Sequence, residues 1–476
     1  MRKRRQAFRP ETIHNVPIIA AGAEGKSIAK IDGQVIFVPF AAPGDVADIQ
    51  ITARKKQFLE GRIINLVEAS SLRTAQVCGH FTLCGGCKWQ HLTYDAQLAF
   101  KQQQVEDAFA RIGKFPFPAL RPIKAAPDIY QYRNKLEFTF SSRRWFTQPP
   151  REGVQEDPRG LGFHLPGMFD RIIHLEECHL QASPSDAIRH FVHDKAVELN
   201  LSYYDTRRHE GLLRNLIIRN TTTGGLMVIL VSSAEHEALR DQLFPGLVKA
   251  FPQITSLLWV VNPRVSETIN GLEARLMHGE AWLTEHLEGP DADSPPLQFR
   301  IAPASFFQTN PRQAAVLYRT AFEMAQLTGK EVVYDLYSGT GTISCYVAGS
   351  CKRVVGVEYV EEAVADAHIN AGLNGLTNID FVAGDLGKIF DDSFVLRYGR
   401  PDVVITDPPR AGMHPKVVEQ LLKLAPGRIV YVSCNPATQA RDIALLAEQY
   451  TVEAVQPVDM FPQTHHVENV ALLVRR

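Results

Sequence analysis

The stretch EVVYDLYSGTGT, residues 331–342, runs an apolar, β-branched segment into a turn with two glycines and then into a helical pattern. The rest of the chain repeats the alternation. RVVGVEYV (353–360) leads into a helix-like segment, and NIDFVAG (378–384), DVVITDPP (402–409) and RIVYVSC (428–434) come after it, with a helix expected at 312–327 ahead of the set. Strands alternating with helices predict a doubly wound, largely parallel α/β sheet. Ligands on such sheets bind beyond the carboxyl ends of the strands, so the residues that close these strands are the first candidates for function.

Gly339 and Gly341 let the backbone of the first turn come close to a ligand. The pattern is not the GxGxxG dinucleotide fingerprint, which places its third glycine inside the helix. Glu358 ends the second strand, where a carboxylate accepts hydrogen bonds from both ribose hydroxyls, and Asp385, after FVAG, is placed to receive an adenine amino group. The plainer alternative is that these acids cap the helices after them. Their recurrence at consecutive strand ends favours a nucleoside ligand. The sequence has no basic pyrophosphate cradle and no Walker lysine, so a nucleoside without phosphates, such as S-adenosylmethionine, suits it better than NAD or ATP.

At 476 residues with 45% hydrophobic content, the chain predicts two to four soluble domains. No run approaches the roughly 18 apolar residues of a membrane span, and MRKRRQAFRPETIH has no apolar signal core; no membrane partner and a cytoplasmic location are expected. Residues 17–67 alternate short apolar runs with turn signals, Asp32-Gly33 and Pro43-Gly44 among them, and predict a small antiparallel barrel. A helix is expected at about 94–112, apolar at Leu98, Val105, Phe109 and Ile112. Residues 130–290 mix strands (LEFTFSS, LRNLIIRN, LMVILVSS, SLLWVVN) with two or three helices, an α+β pattern with an exposed loop at QPPREGVQEDPRG; EGPDADSPP (288–296) looks like a linker. The net charge of -1 gives no global sign of a nucleic-acid partner. Residues 1–60 nevertheless carry ten Lys or Arg against six Asp or Glu, including Arg2, Lys3, Arg4 and Arg5, then Arg54, Lys55 and Lys56.

Seven cysteines in so long a chain are no disulfide scaffold. Cys345 and Cys351 look like packing residues. Cys78, Cys84 and Cys87 in CGHFTLCGGC have spacing C-x5-C-x2-C, unlike the C-x3-C-x2-C of radical enzymes. Closed tetrahedral ligation needs a fourth thiolate, and Cys178 in HLEECHL is the natural candidate. Four thiolates suit zinc and an iron–sulfur cluster alike. Cys434, in YVSCNPAT, would on its own be a small buried hydrophobe.

DLYSGTGTI, VVGVEYV, ITDPPRAG, YVSCNP and HHVENV, in this order and together with FFQTNPRQ (306–313), resemble the RNA (uracil-5-)-methyltransferase family across the catalytic half. The resemblance implies a Rossmann-like class I methyltransferase domain that uses S-adenosylmethionine. Gln308, Tyr337, Glu358, Asp385 and Asp407 match residues that contact this cofactor, with Gly339 in the same turn as Tyr337; Thr342 takes a slot that is often asparagine in relatives. Cys434 is similar to the family nucleophile and Glu468 to its general base. The chemistry explains the pair. Thiolate addition at uracil C6 creates an enolate that loads electron density onto C5, methyl transfer comes next, and a base removes the C5 proton before the thiolate is expelled. Free cysteine titrates at about 8.5, so the site is expected to lower that value. Arg410 replaces the aromatic residue of the Asn-Pro-Pro-aromatic turn used on exocyclic amines, which argues against adenine or cytosine amines as targets.

GDVADIQITARKKQFLEGRIINL resembles the TRAM module, an RNA-binding barrel of the OB type, with Arg54, Lys55 and Lys56 as phosphate contacts. The four cysteines, with KWQHLTY after the first three, resemble the 4Fe–4S site of the 23S rRNA branch; zinc stays the alternative metal. YRNKLEF and RNLIIR also match family segments, where Arg133 and Lys135 meet either RNA or neighbouring acids. The expected division is a TRAM-like barrel at 1–67, a central α+β domain with the cysteine site at 68–300, and the methyltransferase domain at 301–476; the helix at 94–112 belongs to the second or packs on the third. A monomer acting on RNA is expected, 23S rRNA first, with the T-loop uridine of tRNA and a non-catalytic RNA-binding protein as alternatives.

Overall fold

The computed structural model describes residues 11–148, 156–291 and 293–476. Arg2, Lys3, Arg4 and Arg5, and residues 149–155 of the loop expected to be exposed, lie outside the described residues.

The catalytic half is built on seven strands: β1 (Val332–Leu336), β2 (Arg353–Glu358), β3 (Ile379–Ala383), β4 (Val403–Thr406), β5 (Arg428–Ser433), β6 (Tyr450–Val458) and β7 (Glu468–Arg475). They lie in the order β3-β2-β1-β4-β5-β7-β6. The first five run parallel, while β7 returns antiparallel between β5 and β6. β1, β2, β4 and β5 are near-continuous runs of Val, Ile, Leu and Tyr because helices cover both faces.

Five helices matter for the site: α1 (Tyr94–Ala108), α2 (Pro311–Ala325), α3 (Thr342–Ala348), α4 (Glu361–Leu373) and α5 (Pro436–Leu446). α1 packs on the catalytic sheet. Its Val105 and Ala108, with Phe109 beyond, share one core with Tyr431, Ala440 and Ile443. A widened turn at Phe109–Gly113 breaks the 3.6-residue period, which leaves Ile112 48% exposed although it was expected on the apolar face.

Residues Thr12–Ala21, Lys26–Ile31, Gln34–Pro39, Val46–Arg54 and Phe58–Glu68 close a five-stranded barrel around Val16, Ile18, Ile36, Val38, Ile49 and Ile51. The Asp32-Gly33 turn has both φ angles positive, as a two-residue hairpin requires. Between barrel and catalytic half lies an eight-stranded sheet. One of its faces, through Phe138, Phe140, Leu216 and Leu230, packs with helices Ser185–Glu198 and Phe244–Ala250. The other, through Ile217, Met227, Ile229 and Leu258, joins the core of the catalytic half.

The stretch expected as a linker, 288–296, connects two strands that pair with each other, Leu283–Leu287 and Leu297–Ile301. Leu283, Leu287, Phe299 and Ile301 are buried with Leu317 and Tyr318 of α2, so the segment is the loop of a docked hairpin. Polarity and proline content mark both kinds of connection; only the pairing on either side tells them apart.

α1 also enters the most deeply buried ion pair among the described residues. Lys101 Nζ stands 2.6 Å from Asp459 Oδ1 with both side chains inaccessible, and it donates to the Phe461 carbonyl at 3.0 Å. Tyr94 donates to the other carboxylate oxygen at 2.9 Å. Removing one member strands a buried charge, so Lys101→Met should cost about 3–5 kcal/mol. Urea denaturation of this variant beside the Lys101→Met/Asp459→Leu double variant checks this: the double variant recovers stability if the stranded charge is the cause.

Candidate active site at the carboxyl ends of the strands

The chain turns sharply after β1. Tyr337, Gly339 and Gly341 all have left-handed φ, at 63°, 53° and 78°. A Cβ on Gly341 would stand 2.7 Å from the Phe381 ring, so only glycine lets the turn pack on β3 there. A Cβ on Gly339 would meet nothing within 4 Å, which leaves open space in front of the turn. Glu358 closes β2 and ties two strand ends together: Oε2 accepts from the Gly339 amide at 3.0 Å and Oε1 from the Val360 amide at 2.9 Å.

Asp385, after β3, caps the short helix Leu386–Ile389. It accepts from the Gly387 amide at 3.0 Å and pairs with Lys388 at 3.1 Å, and both contacts hold its carboxyl below the usual range. The capping alternative therefore describes its contacts. Thr342 opens α3 and donates to the buried Tyr318 hydroxyl at 3.3 Å. Gln308 is 8% exposed on the segment leading into α2, its carbonyl accepting from Asn134 Nδ2 at 3.0 Å.

Cys434 follows β5 directly and Glu468 begins β7. The ladder between β5 and β7 ends at the pair Ser433 and Asn469, so Cys434 is the first residue past that pair on one side and Glu468 the residue next to it on the other. Glu468 is close enough to act on the Cys434 thiol. The turn after β4, which holds Asp407 and Arg410, is stitched to the Cys434 turn. Asn435 Nδ2 donates to the Arg410 carbonyl at 3.1 Å, and Thr438 donates to it at 3.2 Å. Asn435 also caps α5 by accepting from the Ala437 amide.

The electrostatics bind these residues into one unit. Burial, then Asp407, pushes the Glu468 carboxyl above its ordinary range, and Arg410 opposes the shift. Burial, then Asp335, does the same to Asp407. Asp335, fully buried in β1 with Ser344 as its donor at 2.6 Å, is itself pushed up to about 7 by burial. Asp335 was not among the residues expected at the site, although its place in DLYSGTGT was the available signal.

Cys434 corrects an expectation. Its thiol was expected to titrate low, yet burial first, then Glu468 and Asp407, pushes it up to about 11, with Arg410 pulling the other way. Two carboxyl groups beside a half-buried thiol outweigh one exposed guanidinium.

The four cysteines expected to bind a metal, Cys78, Cys84, Cys87 and Cys178, line one cavity of about 570 Å³ together with Phe81, Leu136, Phe163 and Leu175. None is in a disulfide. Burial pushes Cys87 up to about 11 and Cys178 up to about 12. Among the described residues, no three His, Cys, Asp or Glu side chains are grouped to hold a metal ion. Cys345 and Cys351 are buried in the catalytic core, as their sequence context suggested.

A doubly wound sheet whose seventh strand is inserted antiparallel, with a glycine turn and acids at the strand ends, is the frame of a methyltransferase. Residues 270–476 match the tRNA (Uracil-5-)-methyltransferase family and residues 14–64 the TRAM domain. An "uncharacterized RNA methyltransferase" of Porphyromonas gingivalis is 51% identical over 95% of this chain and 98% of its own length. One of Bacteroides thetaiotaomicron is 50% identical over 95% and 100%. Among solved structures, the Pyrococcus abyssi tRNA (uracil-54, C5)-methyltransferase in complex with S-adenosyl-L-homocysteine aligns with a TM-score of 0.72. It is 30% identical and covers 96% of this chain and 100% of its own. The chain belongs to the RNA (uracil-5-)-methyltransferase family: it is an S-adenosylmethionine-dependent RNA uracil-5 methyltransferase with an N-terminal TRAM domain. Among the described residues, no helix is long and apolar enough to cross a membrane.

The sign of the pH dependence is set by the two raised groups. With Cys434 reacting as a thiolate and Glu468 as a carboxylate, as the family resemblance implies, both forms are scarce while the groups stay protonated, and kcat/KM should climb steadily from about pH 6.5 to 9 without levelling near 8.5. Arg410→Met removes the opposing charge and should move the profile to higher pH; each further unit on the thiol costs about tenfold in thiolate. Rate profiles of both proteins at saturating cofactor check this.

Proposed function

We propose that this chain makes 5-methyluridine in 23S rRNA through a covalent adduct between Cys434 and uracil C6. The observation that supports the chemistry is that the β5–β7 ladder ends at Ser433 and Asn469, next to Cys434 and Glu468, with Glu468 acting electrostatically on the Cys434 thiol at the end of the sheet where the cofactor-type residues gather. In this reading, Glu358 holds the ribose, and Gln308, Tyr337, Gly339, Thr342, Asp385 and Asp407 line the rest of the cofactor site. S-adenosylmethionine, when bound, supplies an electrophilic methyl group. Cys434 adds to C6 and returns as the leaving thiolate, and Glu468 takes the C5 proton, a task suited to a carboxyl whose proton affinity burial has raised. The target base must leave its stack to reach Cys434, and the barrel, with Arg54, Lys55 and Lys56, binds backbone phosphates nearby in sequence-independent fashion.

The resemblance of the cysteine segment supports rRNA as the substrate. The likeness to the archaeal tRNA enzyme runs over nearly the whole chain, barrel included, and favours the second reading, a T-loop uridine of tRNA. We assign a 4Fe–4S cluster to Cys78, Cys84, Cys87 and Cys178. Support for this reading is the donor chemistry: four soft thiol ligands line one cavity, and a set of four thiolates is what such a cluster takes. Its contribution is to pin distant segments.

Cys434→Ala should abolish methylation and fail to form the SDS-stable complex that the wild-type enzyme makes with 5-fluorouracil RNA. Glu468→Gln should slow turnover about 10²–10⁴-fold and accumulate a covalent complex on ordinary RNA, because addition and methyl transfer precede the step that needs the base. Gel electrophoresis of the complexes checks both, and a serine variant at Cys434 that methylates at full rate overturns the adduct. Mass-spectrometric mapping of 5-methyluridine in rRNA and tRNA from a deletion strain decides the substrate: loss from 23S rRNA supports the first reading, and loss from the T-loop replaces it with the second.

A further inference from the structure

Two turns outside the parallel strand ends carry reacting groups. Residues 306–310 hold Gln308, and residues 459–467 lead into Glu468. Each is gripped by a different arm of the four-cysteine cavity.

The first arm starts at Cys87. The next two amides, of Lys88 and Trp89, both donate to the Gln463 carbonyl, at 2.9 and 3.0 Å. Gln463 sits in the left-handed region at φ 68°, a conformation that a side-chain-bearing residue keeps only when its surroundings enforce it. Gln97 of α1 enforces it. Its Oε1 accepts from the Gln463 amide at 2.8 Å, and its Nε2 lies 3.1 Å from Gln463 Oε1 and 3.2 Å from the Trp89 carbonyl. Tyr132 adds a hydrogen bond to the Pro462 carbonyl at 2.9 Å.

The second arm starts at Cys178. The carbonyls of His179 and Leu180, the next two residues, accept from the amides of Gln131 and Arg133, each at 2.8 Å. Asn134 comes directly after Arg133. Its amide donates to the Thr309 carbonyl at 2.8 Å and its Nδ2 to the Gln308 carbonyl at 3.0 Å. Thr309 and Arg133 themselves line the cysteine cavity.

We propose that Gln97, Gln463 and Asn134 are positioning residues through which the four-cysteine site sets the placement of Glu468 and Gln308. A group bound by all four thiols cross-links the two arms and removes their freedom to move apart. Both turns are then ordered together, and emptying the cavity loosens both. This rests on the proposed roles of the four thiols as cluster ligands and of Glu468 as the base.

The test uses the full-length protein, with iron content and absorbance near 400 nm recorded first, then hydrogen exchange by mass spectrometry before and after removal of iron with a chelator. Exchange should rise at 306–310 and 459–467 together while the barrel core, 26–51, stays protected. Gln97→Ala should loosen 459–467 alone and lower kcat at least tenfold with an unchanged KM for S-adenosylmethionine. Asn134→Ala should loosen 306–310 alone and raise that KM. Iron-loaded protein whose stripped form exchanges faster only at 78–90 and 174–180 overturns the coupling and leaves the cluster reading standing. Protein that never holds iron overturns the cluster reading, and the two variants then decide the positioning roles by the same split of kcat against KM. If stripping unfolds the chain, the variants again decide, and unchanged kinetics in both overturn the proposal.

Discussion

Glu468 opens the last strand, and the ladder between that strand and β5 fixes where its carboxyl stands. Because Ser433 faces Asn469 in that ladder, backbone pairing brings the chain segments of Cys434 and Glu468 to the same end of the sheet, and the short turn that carries Cys434 is held by the hydrogen bond of Asn435 to the Arg410 carbonyl. A slip of one residue would carry Glu468 to the other face of the sheet and dissolve the pair. The antiparallel insertion of β7 is therefore what brings Glu468 to the end of the sheet where Cys434 follows β5. Buried ladders on both sides of β7, to β5 and β6, make such a slip costly.

The same placement creates an electrostatic problem. Asp335, Asp407 and Glu468 crowd one end of the sheet, with Arg410 as the cation that acts on Glu468 and Cys434. In that field, both the thiol and the base hold their protons more firmly than in water.

The features legible in the sequence were those encoded in short periods. The strand–helix alternation after residue 331, the Asp32-Gly33 hairpin and the glycine turn at 339–341 each depend on a handful of adjacent residues, and the structure contains them. Cys434 and Glu468 were legible by resemblance, since 34 residues separate them and nothing local announces their register. The features that local pattern left open depend on distant partners. Whether α1 packs on the catalytic sheet is decided by residues more than 300 positions away, and the partner of Lys101 is Asp459. The hairpin around 288–296 looks like a linker until both of its strands are seen to pair. The direction of the Cys434 shift depends first on burial and then on two carboxyl groups, all of which the fold, not the neighbouring sequence, supplies.

Residues 459–467 show why the amino-terminal half is more than an appended binding module. Gly25, in the barrel, has φ 75° and packs so closely that an added Cβ would stand 3.0 Å from Lys88 and 3.3 Å from His465. Trp89 Nε1 donates to the Gly25 carbonyl at 3.3 Å, while its own amide holds Gln463. Barrel, cysteine arm and α1 therefore converge on the turn that leads into Glu468. An extruded uridine is productive only if the flanking RNA is held at a fixed distance from Cys434, and a barrel on a loose tether would spread that distance over many values. Docking the barrel on the turn that precedes Glu468 ties the TRAM barrel to the end of the sheet that carries Cys434 and Glu468. The left-handed Gly25 is the point where that docking admits no other side chain.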